Sequence, residues 1–113
     1  MKNEFVEQWN QITKDIHTLA EEKGWWIDKN NRNDGEIIAL IHSELSEALE
    51  ALRSKNPVSE SILEFSSVEE ELADVVIRIM DYAHARGYNV GAAIVAKHEY
   101  NKTRSYKHGG KKF

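Results

Sequence analysis

Two acidic stretches say most about how this chain folds, IHSELSEALE at residues 41–50 and EEELADVV at residues 69–76. Each carries a pair of acids at a spacing of i, i+3, which places both members on one side of a helix. The 23 residues between the two pairs are enough to turn the chain and lay the second helix against the first. Carboxylates meeting there would repel one another unless a divalent cation bound between them, so the pattern predicts a magnesium site and phosphate chemistry. The four acids are Glu44, Glu47, Glu71 and Asp74.

Apolar spacing and capping residues predict four helices and no strand. A shorter helix is expected over residues 59–65, with Ile62, Leu63 and Phe65 packed on the others. Short connections between four helices favour an all-α fold, an antiparallel four-helix bundle. The first two main helices are expected over Asn3–Glu22 and over Asp34–Ser54, with Asp34 as the N-cap of the second. The third follows a capping box at Ser66 and Ser67 and ends at Arg86, and the fourth runs from the cap Asn89 to Arg104.

Length and composition indicate a single globular domain over residues 1–113. Charged residues make up 30% and apolar residues 41%, a balance typical of a folded, soluble chain rather than a disordered one. Cysteine is absent, which excludes a disulfide framework, a thiolate metal site and a cysteine nucleophile. The basic, glycine-containing segment 105–113 is expected to be a tail that either closes over phosphates or stays flexible.

Charge and hydropathy narrow the class of partner. The net charge is −4, with an acidic centre and a basic C-terminal end, which suits an anion bound through a metal better than duplex nucleic acid. No run of about 18 apolar residues exists to span a bilayer. The first residues also lack the apolar core of a signal peptide. A cytoplasmic protein without membrane or nucleic-acid partners is therefore the expectation.

Positions around each helix separate buried acids from solvated ones. Glu44 falls inside the apolar arc of the second helix and Glu47 at its edge, while Glu71 borders the apolar arc of the third. Asp74 lies further round, beside Arg78. An unpaired buried carboxylate is costly, so Glu44 needs a partner. Other polar groups on helices are usually solvated. Those expected at the surface are Glu69, Glu70, Asp81 and His84.

The fourth helix carries a stripe that begins apolar and ends polar. Spacings of four, three, four and three place Val90, Ile94, Lys97, Asn101 and Arg104 on one side of it. The two cations and the amide could hold phosphate oxygens, Arg104 as a fork and Lys97 as a point charge. The alternative is that Lys97 and Arg104 form salt bridges with the carboxylates.

These residues together resemble the MazG-like all-alpha nucleoside triphosphate pyrophosphohydrolases. The mark of that family is Glu-x-x-Glu, a gap, and Glu-x-x-Asp, and EELADV at residues 70–75 is similar to the family's Glu-Glu-Leu-x-Asp-Val. The segment KHEYNKTRSYKHGGK at residues 97–111 resembles its Lys-x-x-x-Asn-x-x-Arg segment and Gly-rich tail. The resemblance covers roughly residues 34–111. One departure is Ser43, where many members carry a leading acid, and it bears on the number of metal ions and on the general base.

The resemblance implies an enzyme that hydrolyses an NTP or dNTP to the monophosphate and pyrophosphate, in nucleotide pool clean-up. One or two Mg²⁺ ions, or Mn²⁺ as a substitute, would be held by Glu44, Glu47, Glu71 and Asp74. Water would attack the α-phosphorus, activated by the metal or by one of the three glutamates. Lys97 and Arg104 would neutralise charge on the leaving pyrophosphate. Asn101 would position a phosphate or sugar oxygen.

Aromatic and histidine side chains add candidates for substrate binding. Trp25 or Trp26 either stacks on a base or packs against the end of the bundle. His42 either contacts base or sugar or is an ordinary, partly buried histidine. His17 has no evident partner in the sequence.

The rival to an enzyme is a catalytically inactive helical module that binds nucleotide or a protein partner. The absence of an acid at Ser43 favours this alternative. The retained four acids, Lys97 and Asn101 argue against it. Ile77 lies opposite the main apolar arc of its helix, which suggests helix packing between subunits. Members of the family that the chain resembles assemble from such bundles, so the resemblance implies a homodimer or homotetramer.

Overall fold

Four α-helices make up the computed structural model, which describes residues 2–28 and 32–104. Their bounds are α1 Lys2–Glu22, α2 Asp34–Arg53, α3 Ser67–Arg86 and α4 Val90–Asn101. These ranges contain no strand, only an isolated bridge between Val58 and Ser66. The all-α prediction is confirmed, whereas the predicted tail at 105–113 lies outside the described residues. Within the described part, no helix is long and apolar enough to cross a membrane.

The N-terminal end of α3 follows the capping chemistry predicted from the sequence. The Ser66 side chain accepts the backbone N–H of Glu69, and the Glu69 side chain accepts the backbone N–H of Ser66. This reciprocal capping box satisfies two amide groups that the first helical turn leaves free. At the other end Gly87 takes a left-handed conformation with φ of 75° and stops the helix.

Two predicted helix ends are wrong. The N-cap of α2 is Asn33 rather than Asp34, because the Asn33 side chain accepts the backbone N–H of Glu36 at 3.2 Å. The fourth helix ends at Asn101 rather than at residue 104. There the N–H of Lys102 bonds the carbonyls of both His98 and Glu99, which tightens the last turn and ends the regular helix.

The connection between α2 and α3 is a loop, so the short helix predicted over residues 59–65 is wrong. The backbone N–H of Ser59 bonds the carbonyl of Phe65 at 2.9 Å, which holds the two ends of the segment together. A seven-residue helix would instead hold its ends about 9 Å apart. Because the chain doubles back, Ile62, Leu63 and Phe65 are exposed rather than packed on the helices.

α3 is the central helix, since it packs against both α1 and α2, while α4 packs on α1. The contact between α4 and α1 depends on Gly91. This glycine is buried, and a Cβ at its position would lie 2.8 Å from Cδ1 of Trp9. The absence of a side chain there lets the two helices approach closely.

The apolar core of the single chain is small. Among the described residues, the buried apolar side chains are Trp26, Ile37, Ala48, Met80 and Ala83. A row of larger apolar side chains on α2 remains exposed, and we call this row the α2 stripe. Its members are Ile38, Leu45, Leu49 and Leu52.

Candidate metal centre

The four acids predicted as metal ligands come together where α2 packs on α3. Glu44, Glu47 and Glu71 each offer a carboxylate oxygen, and these oxygens lie within 4.8 Å of one another. Glu70, Glu71 and Asp74 form a second group within the same limit, so Glu71 belongs to both. We call these five residues the acid cluster. The i, i+3 spacing presents each pair on one helix face, and packing of the two helices joins the faces.

Glu71 has the least satisfied carboxylate of the cluster. Its Oε2 atom is buried and has no hydrogen-bond partner among the residues that the structure describes. Burial, a hydrogen bond with Glu47 and the charges of Glu47, Asp74 and Glu70 together raise the pKa of Glu71 to about 7. A buried oxygen without a donor costs free energy, and a bound cation would satisfy it. The all-oxygen donor set therefore fits a hard divalent cation such as Mg²⁺.

Asp74 experiences the same accumulation of negative charge. Burial raises its pKa, and the charges of Glu44 and Glu70 raise it further. The positive charge of Arg78 acts in the opposite direction. Both shifted carboxyls thus bind a proton more readily than a solvated acid, because the cluster has more negative than positive charge.

Arg78 is a cation of the same chain that contacts the cluster. Its Nε and Nη2 atoms both lie 2.9 Å from Oε1 of Glu44. The Glu44 side chain is only 15% exposed, so this pair answers the requirement that a buried Glu44 have a partner. The sequence places Arg78 beside Asp74, but the helical wheel gives no sign of its contact with Glu44 on the neighbouring helix.

Glu70 is half-buried and joins the acid cluster, so its predicted position at the surface is wrong. The Oγ atom of Ser59 donates a hydrogen bond to Oε1 of Glu70 at 2.5 Å. Ser59 is itself 1% exposed and accepts two backbone N–H groups of its own loop. The loop between α2 and α3 is thereby attached to the acid cluster.

A cavity of about 360 Å³ adjoins the acid cluster, because Glu44 and Asp74 are part of its wall. Arg78 and Trp25 also line it, with the guanidinium carbon 5.6 Å from the centre of the Trp25 ring. Trp25 is half exposed, so its ring is accessible to a ligand. Most of the remaining wall is apolar and comes from α1, α2 and α3. These side chains include Ile16, Leu19, Ile37, Leu40, Ile41 and Ile77.

Asp81 is not at the surface as predicted, but lines the same cavity. It accepts hydrogen bonds from Nε1 of Trp26 at 2.8 and 2.9 Å and lies 2.7 Å from Nδ1 of His17. His17 is buried, and Asp81 is the partner that the sequence did not reveal. The ring of His84, which is exposed as predicted, lies 4.8 Å from that of His17. Trp26 is thus a buried part of the cavity wall, while Trp25 lines the cavity with a half-exposed ring.

The remaining predicted substrate ligands lie away from the cavity in the single chain. Lys97, Asn101 and Arg104 are exposed on or just after α4, which packs on α1. The Nζ atom of Lys97 lies 4.6 Å from the centre of the Tyr100 ring. His42 is exposed on α2, and none of these four residues lines the cavity.

Comparison with known proteins gives no independent guide to the site. No family model, no curated relative and no solved structure matches the chain.

Proposed function

We propose that this protein is a magnesium-dependent nucleoside triphosphate pyrophosphohydrolase of the MazG-like type. The observation that carries the proposal is the acid cluster, with its unsatisfied Glu71 oxygen, next to an apolar cavity. The carboxylates suit a hard cation, the cation suits phosphate, and the cavity suits the uncharged part of a nucleotide.

Glu44, Glu47, Glu71 and Asp74 would hold one or two Mg²⁺ ions, and Mn²⁺ would serve in their place. The metal supplies positive charge for the phosphate oxygens and makes bound water more acidic. One of the three glutamates accepts a proton from the water that attacks the α-phosphorus. A new oxygen bond to that phosphorus forms as its bond to the oxygen bridging to the β-phosphorus breaks. The products are the monophosphate and pyrophosphate.

The cavity beside the cluster would hold the nucleoside. Its apolar side chains would exclude water, and the half-exposed ring of Trp25 would stack on a base. Asp81 is a further polar group of the wall, and the bonds to Trp26 and His17 hold it in place. Neither Asp81 nor Arg78 was among the substrate ligands suggested by sequence.

We further propose a homodimer, or a homotetramer built from it, whose second subunit supplies Lys97, Asn101, Arg104 and His42 to the substrate. The α2 stripe supports this assembly, since its four apolar side chains are between 42% and 56% exposed in the single chain. Ile77, on which the expectation first rested, lines the cavity. We therefore infer assembly from the exposed α2 stripe. In the assembled enzyme Lys97 and Arg104 neutralise the leaving pyrophosphate.

The test is product analysis with a panel of ribo- and deoxyribonucleoside triphosphates, with and without Mg²⁺. We expect equal release of monophosphate and pyrophosphate that depends on the metal. Glu71→Gln should abolish turnover and leave the helical circular dichroism spectrum unchanged. Glu60→Gln, on the exposed part of the loop, is the matched control and should retain activity.

Full activity in Glu71→Gln would contradict the metal-centre mechanism. A folded wild-type protein that binds triphosphates but turns none over would instead support the inactive nucleotide-binding module. Ser43 gives that outcome its structural basis: its hydroxyl donates to the carbonyl of Leu40 at 2.6 Å and adds no acid to the cluster.

A further inference from the structure

Arg78 contacts two parts of the site at once, the acid cluster and the cavity. Its guanidinium gives two N–H groups to a single oxygen of Glu44, at 2.9 Å each. The same side chain lines the cavity, next to the Trp25 ring. It is one-third exposed, so it can turn without disturbing the core.

Glu44 can bind two cations, the guanidinium of Arg78 and the proposed divalent metal ion. Its carboxylate bonds Arg78, and it also offers an oxygen to the group that Glu47 and Glu71 complete. A guanidinium and a divalent cation on one small carboxylate repel each other at short range in a partly buried site. Binding of the metal therefore weakens the ion pair between Glu44 and Arg78.

We propose that Arg78 is a triphosphate-binding residue that Glu44 retains until a divalent cation binds. This inference rests on the proposed function. When Glu44 turns to the metal, the guanidinium is released on the wall of the cavity. Its fork of N–H groups matches two oxygens of a phosphate, which a lysine in this position would not do as well. The face of Trp25 provides a surface on which the planar group can rest.

Arg78 then couples the two ligands. In the absence of triphosphate it competes with the metal for Glu44, and in the presence of metal it adds a contact to the triphosphate. Because coupling between two binding sites is reciprocal, metal tightens triphosphate binding by the same factor as triphosphate tightens metal binding. A residue that only stabilised the fold would move both affinities in one direction.

The test measures binding without turnover. Mn²⁺ affinity is read by electron paramagnetic resonance on the full chain alone, and the affinity for an α,β-methylene triphosphate analogue by calorimetry with Mn²⁺ present. In Arg78→Met we expect Mn²⁺ alone to bind about tenfold more tightly and the analogue about tenfold more weakly. The affinity of Arg78→Lys for the analogue should lie between those of the wild type and Arg78→Met, because lysine keeps the charge and loses the forked pair of N–H groups. Arg53→Met, which removes an exposed arginine near the end of α2, is the control and should change neither.

Mn²⁺ binding to Arg78→Met that is unchanged or weaker would overturn the inference and leave the metal centre standing. An unchanged affinity for the analogue in both Arg78 variants would overturn it as well. Absence of Mn²⁺ binding to the wild-type protein would remove the proposed metal centre and this inference with it. If Arg78→Met fails to fold, the comparison of Arg78→Lys with wild type decides, and equal affinities for the analogue would overturn the proposal.

Discussion

At the scale of single residues, the ionisation of Glu71 couples the site to stability. The pKa of this carboxyl is about 7 in the folded chain and 4.5 in its ordinary environment, so the folded chain binds more protons between these values. Its contribution to stability is complete below the lower value and is lost as the pH rises through the upper one.

We therefore expect Glu71→Gln, which cannot ionise, to melt at a higher temperature than the wild type at about pH 8 in the presence of a chelator. The difference should shrink at about pH 5, where the folded wild-type carboxyl keeps its proton. Thermal unfolding followed by circular dichroism measures both, with Glu60→Gln as the exposed control. An equal melting temperature for wild type and Glu71→Gln at the higher pH would contradict the raised pKa.

The same residue predicts how metal acts on stability. A ligand that binds only the folded chain stabilises it, so Mg²⁺ should raise the melting temperature of the wild type at about pH 8. Glu71→Gln should respond less, because it lacks one of the carboxylates that hold the ion. An equal response of the two proteins would place the bound metal elsewhere.

Asp81 is a structural acid with partners distant in sequence. Asp81→Asn weakens acceptance from Trp26 and the contact with His17, and should lower the free energy of unfolding by about 1–3 kcal/mol. Urea denaturation measures the loss. Asp15→Asn on the exposed face of α1, where Gln11 donates to the carboxylate, is the control and should lose much less. A loss at position 81 no greater than at position 15 would show that the buried network contributes little.

Residue spacing predicted the acid cluster better than it predicted the contacts around the cluster. Glu44, Glu47, Glu71 and Asp74 follow from i, i+3 spacing, which is a local property of two helices. The contact between Arg78 and Glu44 spans 34 residues and that between His17 and Asp81 spans 64. Such pairings depend on how helices pack, and a helical wheel drawn for one helix does not contain that information.

At the scale of elements, Gly91 determines how α4 sits on α1. Alanine normally stabilises a helix interior relative to glycine by about 1 kcal/mol. Here the new Cβ would lie 2.8 Å from Trp9, so we expect Gly91→Ala to destabilise the protein instead. The sign of the change in urea denaturation is the measurement, with Trp9→Leu as a background in which alanine should regain its usual advantage. Stabilisation of the wild-type background by Gly91→Ala would show that Trp9 moves aside freely.

Features of α3 whose signals lie within one helical turn were predicted, and the loop before it, whose bonds span more than one turn, was not. The capping box at Ser66 and the glycine stop at Gly87 involve neighbours within one turn, so the sequence contains them in full. The loop over residues 59–65 is different. Its path depends on bonds from Ser59 to Phe65 and to Glu70, and apolar spacing alone predicted a helix there.

At the scale of the whole molecule, the exposed α2 stripe predicts association. Burial of a leucine side chain contributes about 1.5–3 kcal/mol, whereas burial of an unpaired carboxylate opposes association. We expect light scattering to give at least a dimer, and Leu49→Glu to shift the mass toward the monomer. Gln8→Glu, an equal charge change on the exposed face of α1, should leave the mass unchanged. A monomeric wild type would refute the proposed assembly and the contribution of Lys97, Asn101 and Arg104 from a second subunit.

The different settings of two adjacent tryptophans give the chain an optical reporter of its own. Both line the cavity, but Trp26 is 3% exposed and donates to Asp81, whereas Trp25 is 54% exposed. A ligand that fills the cavity replaces water around the half-exposed Trp25 ring, whereas the buried Trp26 ring has little water to lose. The fluorescence of Trp25 should then shift or be quenched on binding, and Trp25→Phe should remove that response. Occupancy of the site becomes visible in real time, without a label and without chemical turnover.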